Sequence, residues 1–396
     1  MLYLVLIIYL IFVLFVQRAM KTWMNCFHPT FKSQRIRLIY TLFYALFALS
    51  PAAVLLPTIP IKSSLVRFGD FWLGFFLYIL LGIVIVDIVG KVLRKLKKMP
   101  HIWTDEYKKL CRISGTVIVL ASVCICAYGT VHAEHVKSKE YHVKINKRAE
   151  NLSGLRIGLI SDIHLGCHTG PKQISEMVAK LNREDLDLVC LTGDFYSNDF
   201  DSVDHPKKVS QLLAKIKTTY GTYACYGNHD VDQRVLGGFP INKKKKALRD
   251  PRLDKMLKDG KVKVLMDETI YVNHDFYLIG RLDASETGVS NLKSNTITEI
   301  SKTLDPTKPI LVMEHQPKDL SEESNAGVDL SLAGHTHKGQ IFPGNLIVKL
   351  FWKNSYGKYQ KNNLTSIVTS GIGTWGPNMR IGTDSEIAII NISFSN

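Results

Sequence analysis

The feature that most constrains this chain is a recurring pattern, in which a short apolar run leads directly into a side chain that can bind a metal ion. It first occurs in residues 155–168, where the apolar residues 157–160 run into Ser161-Asp162-Ile163-His164. An apolar run of this length between turn signals is typical of a buried strand. A carboxylate and an imidazole two residues apart suit a divalent transition metal better than calcium or magnesium. Such pairs also occur in ordinary surface turns, so the block alone does not establish a metal site.

The pattern recurs at four further places along the chain. Apolar runs lead into Gly193-Asp194, Gly227-Asn228-His229-Asp230, Glu314-His315 and Gly334-His335-Thr336-His337. Open α/β sheets build their sites at the carboxyl edge of the strands, where successive strand ends lie close together. The five blocks are therefore expected to meet in one site.

In this order, the blocks D-x-H, G-D, G-N-H-D, H and G-H-T-H resemble the calcineurin-like metallophosphoesterase superfamily. The versions LISDIHLG and GHTHKGQI are similar to its membrane-linked bacterial branch, and the resemblance covers the chain from residue 155 to its end. It implies an α/β fold, the metallophosphoesterase four-layer α/β sandwich, with two packed mixed sheets flanked by helices. It also implies hydrolysis of a phosphomonoester or phosphodiester by metal-bound hydroxide.

The resemblance assigns the metal ligands block by block. One ion is expected on Asp162, His164, Asp194 and His337, and the other on Asp194, Asn228, His315 and His335. Two divalent ions about 3.5–4 Å apart can clamp a phosphoryl group, activate a water and neutralise developing charge. We expect manganese, with iron, zinc or nickel as alternatives. Because His335 and His337 would point to opposite faces of a regular strand, they are predicted to lie on a turn that Gly334 permits.

The remaining functional predictions concern groups that do not bind the ions. His229 matches the family's non-ligand histidine, which can stabilise the transition state or protonate the leaving oxygen, and Asp230 is expected to orient its ring. Lys338 stands where this branch usually has glycine, and its ammonium could meet a substrate phosphate or only solvent. Arg380 ends a stretch, residues 371–380, that resembles the family's closing loop. Its charge and fork geometry make it a candidate phosphate contact, with a structural role as the alternative.

The first 130 residues are dominated by long apolar runs. They contain four apolar runs, residues 2–16, 36–57, 71–89 and 113–130, three of them near the length of a membrane-spanning helix. The runs lack a polar face, which argues against a soluble helical core. A signal peptide would carry basic residues before its apolar run, whereas Arg18 and Lys21 follow the first run, so this helix is expected to be retained. We therefore predict an all-α transmembrane region over 1–132, a linker and opening strand over 133–153, and the metallophosphoesterase domain over 154–396.

The distribution of positive charge predicts the orientation. The net charge is +15, and lysines and arginines crowd the loops between the first and second runs and between the third and fourth, whereas only Lys62 and Arg67 lie between the second and third. Basic loops stay in the cytoplasm, so the domain after residue 130 should face outward. Anionic lipid accounts for much of this charge, so nucleic acid is not expected as a partner and a nuclease is an alternative only. Two intramembrane features are also predicted, a kink at Pro51 and an ion pair between Asp87 and Lys91.

Between the metal blocks, the spacing of apolar residues predicts alternating helices and strands. Helices are expected over 172–181 and 209–216, and strands over 141–146, 186–191, 223–226, 261–265, 269–273, 276–279, 366–369 and 387–392. Residues 273–275 are expected to form a hairpin turn.

An insertion after Asp230 gives information about the kind of substrate. After Asp230 an apolar stretch, residues 235–241, precedes four lysines at 243–246. An apolar tip beside a basic cluster suits anionic lipid, although lysine runs are often only solvated. With four helices as a tether, we predict that the substrate is a membrane-associated phosphoester. The alternative to an enzyme is a catalytically idle sensor or binding module. The presence of every expected metal ligand disfavours it.

Overall fold

The computed structural model describes residues 2–57, 59–102, 104–231, 235–236, 239–240, 249–283 and 294–395. The chain forms two compact units. A helical unit comprises Met1–Thr130, Val235–Ile241 and Gly376–Asn378, and an α/β unit comprises Val131–Arg234, Asn242–Trp375 and Met379–Asn396.

Four helices dominate the helical unit: α1 (Leu2–Asn25), α2 (Gln34–Leu49), α3 (Lys62–Lys95) and α4 (Asp105–Ala133), of which α4 continues into the α/β unit. All four, with α2 extended to Leu55, are long and apolar enough to cross a membrane. A small buried cluster that includes Val16, Trp72 and Phe76 holds helices together, whereas most side chains of the four spans are not buried. Such apolar outer surfaces suit a lipid environment.

Both predicted intramembrane features can be located. Helix α2 ends at Leu49, and a 3-10 segment with Pro51 in its first turn follows over Ser50–Leu55. Proline lacks the N–H that would continue the α-helical pattern, which explains the change of helix type. Nζ of Lys91 lies 2.7 Å from Oδ2 of Asp87, one helical turn away, which confirms the predicted ion pair.

The strands follow in chain order. They are β1 (Val136–Ile145), β2 (Gly154–Ile160), β3 (Leu188–Thr192), β4 (Thr222–Cys225), the short hairpin β5 (Val235–Leu236) and β6 (Phe239–Pro240) of the helical unit, β7 (Val262–Val264), β8 (Glu268–Val272), β9 (Phe276–Gly280), β10 (Ile310–Met313), β11 (Leu330–Ala333), β12 (Gly357–Lys361), β13 (Leu364–Val368) and β14 (Ser385–Phe394). Helices α5 (Pro171–Leu181), α6 (Pro206–Leu213), α7 (Pro251–Asp259), α8 (Ile297–Ser301), α9 (Leu320–Asn325) and α10 (Gly344–Ile347) lie between them.

The α/β unit contains two mixed six-stranded sheets among the described residues. Their strand orders are β1-β14-β2-β3-β4-β7 and β12-β13-β11-β10-β9-β8. Side chains such as Leu159, Leu311 and Ile390 form one core cluster from strands of both sheets, while α5, α6 and α7 contribute to a second core on the first sheet. Helices α8 and α9 pack on the second sheet through Ile297 and Leu320. This arrangement confirms the predicted sandwich of two packed sheets flanked by helices.

The alternation of helices and strands was predictable from apolar spacing, and the predicted elements are confirmed with shifts of a few residues at their ends. The hairpin turn at residues 273–275 is confirmed by the pairing of Val272 with Phe276. The opening strand β1 is an edge strand of the first sheet, where it pairs in parallel with β14 along its whole length. The predicted opening strand is thus part of the first sheet.

Candidate metal centre

The candidate ligands are positioned by the ends of five strands. Strands β2, β3 and β4 are parallel neighbours, and so are β10 and β11. Asp162 and His164 follow β2, Asp194 follows β3, Asn228 follows β4, His315 follows β10, and His335 and His337 follow β11. The carboxyl ends of parallel strands meet at one edge of a sheet, which explains why the ligands of each sheet lie together, and the packing of the two sheets joins the two sets.

The backbone at these strand ends is unusual. Asp162, His164, Asp194, His335 and His337 all have φ between 48° and 67°, in the left-handed region. Aspartate and histidine enter this region more often than most residues, yet it still costs roughly 1–2 kcal/mol for each one. The folded loops therefore hold the ligands in a strained conformation, as functional sites often do.

The first group of ligand atoms comes from Asp162, His164 and His337, which are all buried and offer ligand atoms within 4.8 Å of one another. Nε2 of His164 lies 3.1 Å from Nε2 of His337, and Oδ1 of Asp162 lies 3.2 Å from the same Nε2 of His337. The other oxygen of Asp162, Oδ2, accepts the backbone N–H of His335 at 3.0 Å. One carboxylate oxygen is thus fixed by the backbone, and the other faces the two imidazoles.

The second group comes from Asp194, His315 and His335, again with ligand atoms within 4.8 Å of one another. Nε2 of His315 lies 3.1 Å from Oδ2 of Asp194, 3.1 Å from Nδ1 of His335 and 3.0 Å from Oδ1 of Asn228. Nδ1–H of His315 donates to the carbonyl of Thr192 at 2.8 Å. That bond leaves Nε2 as the ligand atom of this imidazole.

Asp194 connects the two groups. Its Oδ2 lies 3.1 Å from Nε2 of His315 and 3.8 Å from Nε2 of His164. Its Oδ1 accepts the backbone N–H of His229 at 2.8 Å. Only Oδ2 is therefore directed at both groups, which is the geometry that a bridging carboxylate needs.

The residues fit a pair of divalent cations. Buried imidazole nitrogens and carboxylate oxygens that point at one another suit a shared cation better than mutual hydrogen bonds, because two unprotonated nitrogens repel. Oδ1 of Asp162 is buried and has no hydrogen-bond partner among the described residues. Nitrogen and oxygen donors together are typical of manganese, iron, zinc or nickel sites.

The pKa values of the candidate histidine ligands also favour a metal centre. Burial lowers the pKa of His164, His335 and His337, so these imidazoles are neutral, the form that binds metal. Burial also opposes protonation of His315, but the carboxylate of Asp194 outweighs it and raises the pKa of His315 to about 10. The negative charge of Asp194 that favours a proton on His315 would equally favour a metal cation at Nε2.

His229 lies beside the first group. Its ring centroid is 5.1 Å from that of His164, and its Nδ1–H donates to the carbonyl of Ser197 at 2.9 Å. This bond orients the ring and leaves Nε2 available for a substrate oxygen. Sequence reasoning missed Ser197, because any residue can supply a backbone carbonyl.

The predicted role of Asp230 is corrected by the structure. Its carboxylate accepts the backbone N–H groups of Asp194 at 2.8 Å, Phe195 at 2.6 Å and Gly227 at 2.8 Å. It thus holds the loops that carry Asp194 and Asn228, whereas Ser197 orients the ring of His229. Burial raises the pKa of Asp230, and the nearby Asp194 raises it further.

The predicted phosphate contact of Arg380 is also wrong. The side chain is fully buried and donates to the carbonyls of His337 at 3.0 Å, Ser370 at 2.7 Å, Gly371 at 3.1 Å and Gly373 at 2.7 Å. Burial lowers the pKa of Arg380 to about 10. The guanidinium ties the loop after β13 to His337, so the structural alternative holds.

Lys338 is half-buried, with Nζ 4.2 Å from the ring centroid of Tyr356. Burial lowers its pKa. The cation–π contact fixes the ammonium beside the second sheet. A contact with substrate stays a prediction for this residue.

The turn at His335 and His337 is confirmed, but glycine is needed there for a different reason. His335, His337 and Lys338 supply the positive φ angles themselves. A Cβ on Gly334 would collide with the side chains of Ser161 and Asp162. Gly334 therefore allows the end of β11 to approach the end of β2.

Sequence reasoning also missed Trp352. Its ring lies edge-on to that of His335, with centroids 5.1 Å apart. An aromatic residue in an apolar stretch carried no signal of such a contact. The four lysines at 243–246 lie outside the described residues, and the apolar stretch before them, Val235–Ile241, belongs to the helical unit.

Comparison with known proteins indicates the family of the α/β unit. Residues 155–339, just under half of the chain, match the model of the calcineurin-like phosphoesterases, and this segment is a domain of that family. The chain is therefore a hydrolase of the class that acts on phosphoester bonds.

Proteins with similar sequences are named as metallophosphoesterases or as proteins with a metallophosphoesterase domain. An uncharacterized metallophosphoesterase of Campylobacter jejuni is 29% identical over 311 residues, which cover 77% of this chain and 76% of that protein. An uncharacterized metallophosphoesterase of Helicobacter pylori is 30% identical over 65% of this chain and 64% of its own length. A transmembrane protein with metallophosphoesterase domain from Danio rerio is 29% identical over 69% of this chain and 62% of its own length. The match to the last two covers less than two thirds of those proteins.

Proposed function

We propose that this chain is a membrane-anchored phosphoesterase that depends on two divalent metal ions and hydrolyses a phosphomonoester or phosphodiester. The observation that carries the proposal is the position of Asp194, whose Oδ2 lies within 3.8 Å of a histidine from each ligand group. Asp162, His164, Asp194 and His337 would hold one ion, and Asp194, Asn228, His315 and His335 the other. Manganese is the proposed metal, with iron, zinc or nickel as alternatives.

The ions, when bound, would supply charge neutralisation and a water of lowered pKa. Side chains of the protein would bind the substrate and assist its leaving group. Asn228 contributes a neutral oxygen, which limits the negative charge that an anionic substrate meets. His229, oriented by Ser197, presents Nε2 to the leaving oxygen or to the charge that develops on the phosphoryl oxygens.

The membrane setting is part of the proposal. Four helices long and apolar enough to span a bilayer support a multi-pass anchor. The basic loops before α2 and α4 support a cytoplasmic position for those loops and an outward-facing α/β unit. A substrate carried in or on the same membrane fits this setting best.

The test compares two variants of the full-length protein, purified and loaded with manganese. Asp194→Asn should lose bound metal and turnover, because its Oδ2 serves both ions. His229→Asn should keep the metal and lose turnover by about 10²–10⁴-fold. The matched control is His205→Asn, since the side chain of His205 is 75% exposed. Elemental analysis gives the metal content, and a panel of phosphomonoesters, phosphodiesters and lipid phosphates gives the activity.

The outcomes separate the alternatives. Normal metal content in Asp194→Asn would contradict the bridging assignment. Full metal occupancy of the wild type without turnover of any compound on the panel would favour the catalytically idle module.

A further inference from the structure

Among the described residues beyond α4, the α/β unit carries one exposed apolar surface, formed by the segment that follows the His335–His337 turn. Leu350 is 81% and Phe351 is 76% exposed. Phe342, Leu346, Ile347 and Trp375 are exposed as well. In the described part of the unit beyond α4, Tyr271 is the other exposed large hydrophobic residue. We call residues 342–353 together with Trp375 the apolar loop.

The apolar loop is anchored at both ends. The backbone N–H of Phe342 donates to the carbonyl of Ile381 at 2.9 Å, and the buried Asn354 donates to the carbonyl of Ser366 at 3.1 Å. Trp375 is joined to the same region, because its backbone N–H donates to Oε1 of Gln340 at 3.1 Å. The exposed side chains are therefore presented by a fixed backbone rather than by a loose one.

The apolar loop also contacts the candidate metal centre. The ring of Trp352 lies 5.1 Å from that of His335, and the hydroxyl of Thr336 donates to the carbonyl of Ser355 at 2.7 Å. A surface that binds the loop would consequently lie next to the site.

The chemistry of the loop indicates what binds it. Lys349 and Lys353 are exposed, and residues 341–353 contain no acidic residue. Apolar and aromatic side chains beside lysines suit the headgroup region of an anionic bilayer, where the rings and alkyl groups enter and the ammonium groups stay at the phosphates. The chain itself carries four candidate membrane spans, and only two residues separate the last of them, α4, which ends at Ala133, from β1 of the α/β unit, which begins at Val136.

We propose that the apolar loop docks into the headgroup region of the membrane that holds the chain, and that the phosphoester cleaved beside it belongs to a lipid. The substrate half of this inference rests on the proposed phosphoesterase function, whereas the docking half does not. Each half therefore has its own readout.

Docking is tested by photo-cross-linking in proteoliposomes of phosphatidylethanolamine and phosphatidylglycerol that contain the full-length protein. The photoreactive amino acid p-benzoylphenylalanine replaces Phe351 in one protein and Tyr271 in a matched control. Tyr271 is 39% exposed on β8, the edge strand opposite β12 in the second sheet. Lipid adducts at position 351 and none at 271 would support docking. Equal adducts at both positions, none at 351, or adducts to a second protein chain at 351 would overturn it.

The substrate class is tested with Leu350→Glu combined with Phe351→Glu, and with Tyr271→Glu as the control. Turnover of a lipid phosphate in vesicles should fall at least about tenfold in the double variant, whereas a soluble aryl phosphate should be cleaved as in the wild type. Parallel losses on both substrates, or no loss on vesicles, would refute the lipid substrate. If the wild type cleaves neither, the phosphoesterase proposal fails and the cross-linking still decides the docking.

Discussion

The carboxylate of Asp230 accepts the backbone N–H of Asp194 at 2.8 Å, and it is buried beneath the loop that this aspartate occupies. The same oxygen also accepts the N–H of Gly227, next to Asn228. One buried side chain thus fixes two strand-end loops that carry ligands of the candidate centre.

This relationship predicts that Asp230→Ala lowers the affinity for metal, by about 10–100-fold, because supporting groups of this kind contribute that much. The change is measured by metal titration with elemental analysis. If Asp230 instead oriented His229, the variant would keep its metal and lose only turnover. Asp201→Ala is a suitable control, since its side chain is 63% exposed.

Arg380→Lys should destabilise the α/β unit by at least about 2 kcal/mol, because lysine cannot reach the carbonyls that the guanidinium fork now satisfies. Arg252→Lys is the matched control. Arg252 makes its ion pairs with a side chain that is 55% exposed, so a change within about 1 kcal/mol is expected. Thermal unfolding measures both. A raised KM with unchanged stability would restore Arg380 as a phosphate contact.

Glu323 predicts a dependence of stability on pH. Burial raises the pKa of Glu323 to about 7 from its usual value of 4.5, because the charged form is poorly solvated. Between these two pH values, Glu323 is protonated in the folded protein and ionised in the unfolded chain. The free energy of unfolding should therefore fall as the pH rises from about 4.5 to about 7, by up to about 3 kcal/mol.

The corresponding variant is Glu323→Gln, which cannot ionise. It should unfold at a higher temperature than the wild type at pH 8 and at nearly the same temperature at pH 4.5. Glu322→Gln, on the same helix, should leave the difference between the two pH values unchanged. An unaltered pH dependence in Glu323→Gln would contradict the assignment.

The charges of the membrane loops predict the side on which the α/β unit lies. A reporter that works only outside the cytoplasm should be active when fused after Asn396, and a reporter that works only in the cytoplasm should be inactive there. Fusions after Lys98, in the basic loop before α4, should show the opposite result. Activity of the cytoplasmic reporter after Asn396 would reverse the orientation.

The ligand positions were predictable because the sequence encodes them locally. A buried strand needs an apolar run, and Asp162 or His315 interrupts such a run at the point where the strand must end. Parallel pairing brings together the ends of β2, β3 and β4 in one sheet and of β10 and β11 in the other, and the packing of the two sheets brings the two sets together. The division into Asp162, His164 and His337, and Asp194, His315 and His335, was implied by the family resemblance, because each group draws on both sheets.

The roles of Asp230 and Arg380 were not predictable in this way. Charge indicates what a side chain can bind, but its burial depends on how loops from distant strands pack. The two terminal nitrogens of Arg380 donate to carbonyls of the loops after β11 and β13, and no spacing in the sequence indicates these contacts. The left-handed backbone of the ligands was equally hidden, because aspartate and histidine also adopt ordinary conformations.

The position of β14 has a consequence for biogenesis. β14 lies between β1 and β2 and pairs with both, although it is synthesised long after them. While the ribosome is still translating the intervening residues, the two early strands have unpaired edges and helices α1 to α4 have already been synthesised. Such edges recruit other chains or chaperones. A nascent chain interrupted before Ser385 would thus be a substrate for proteolytic quality control, and maturation of the site would be post-translational.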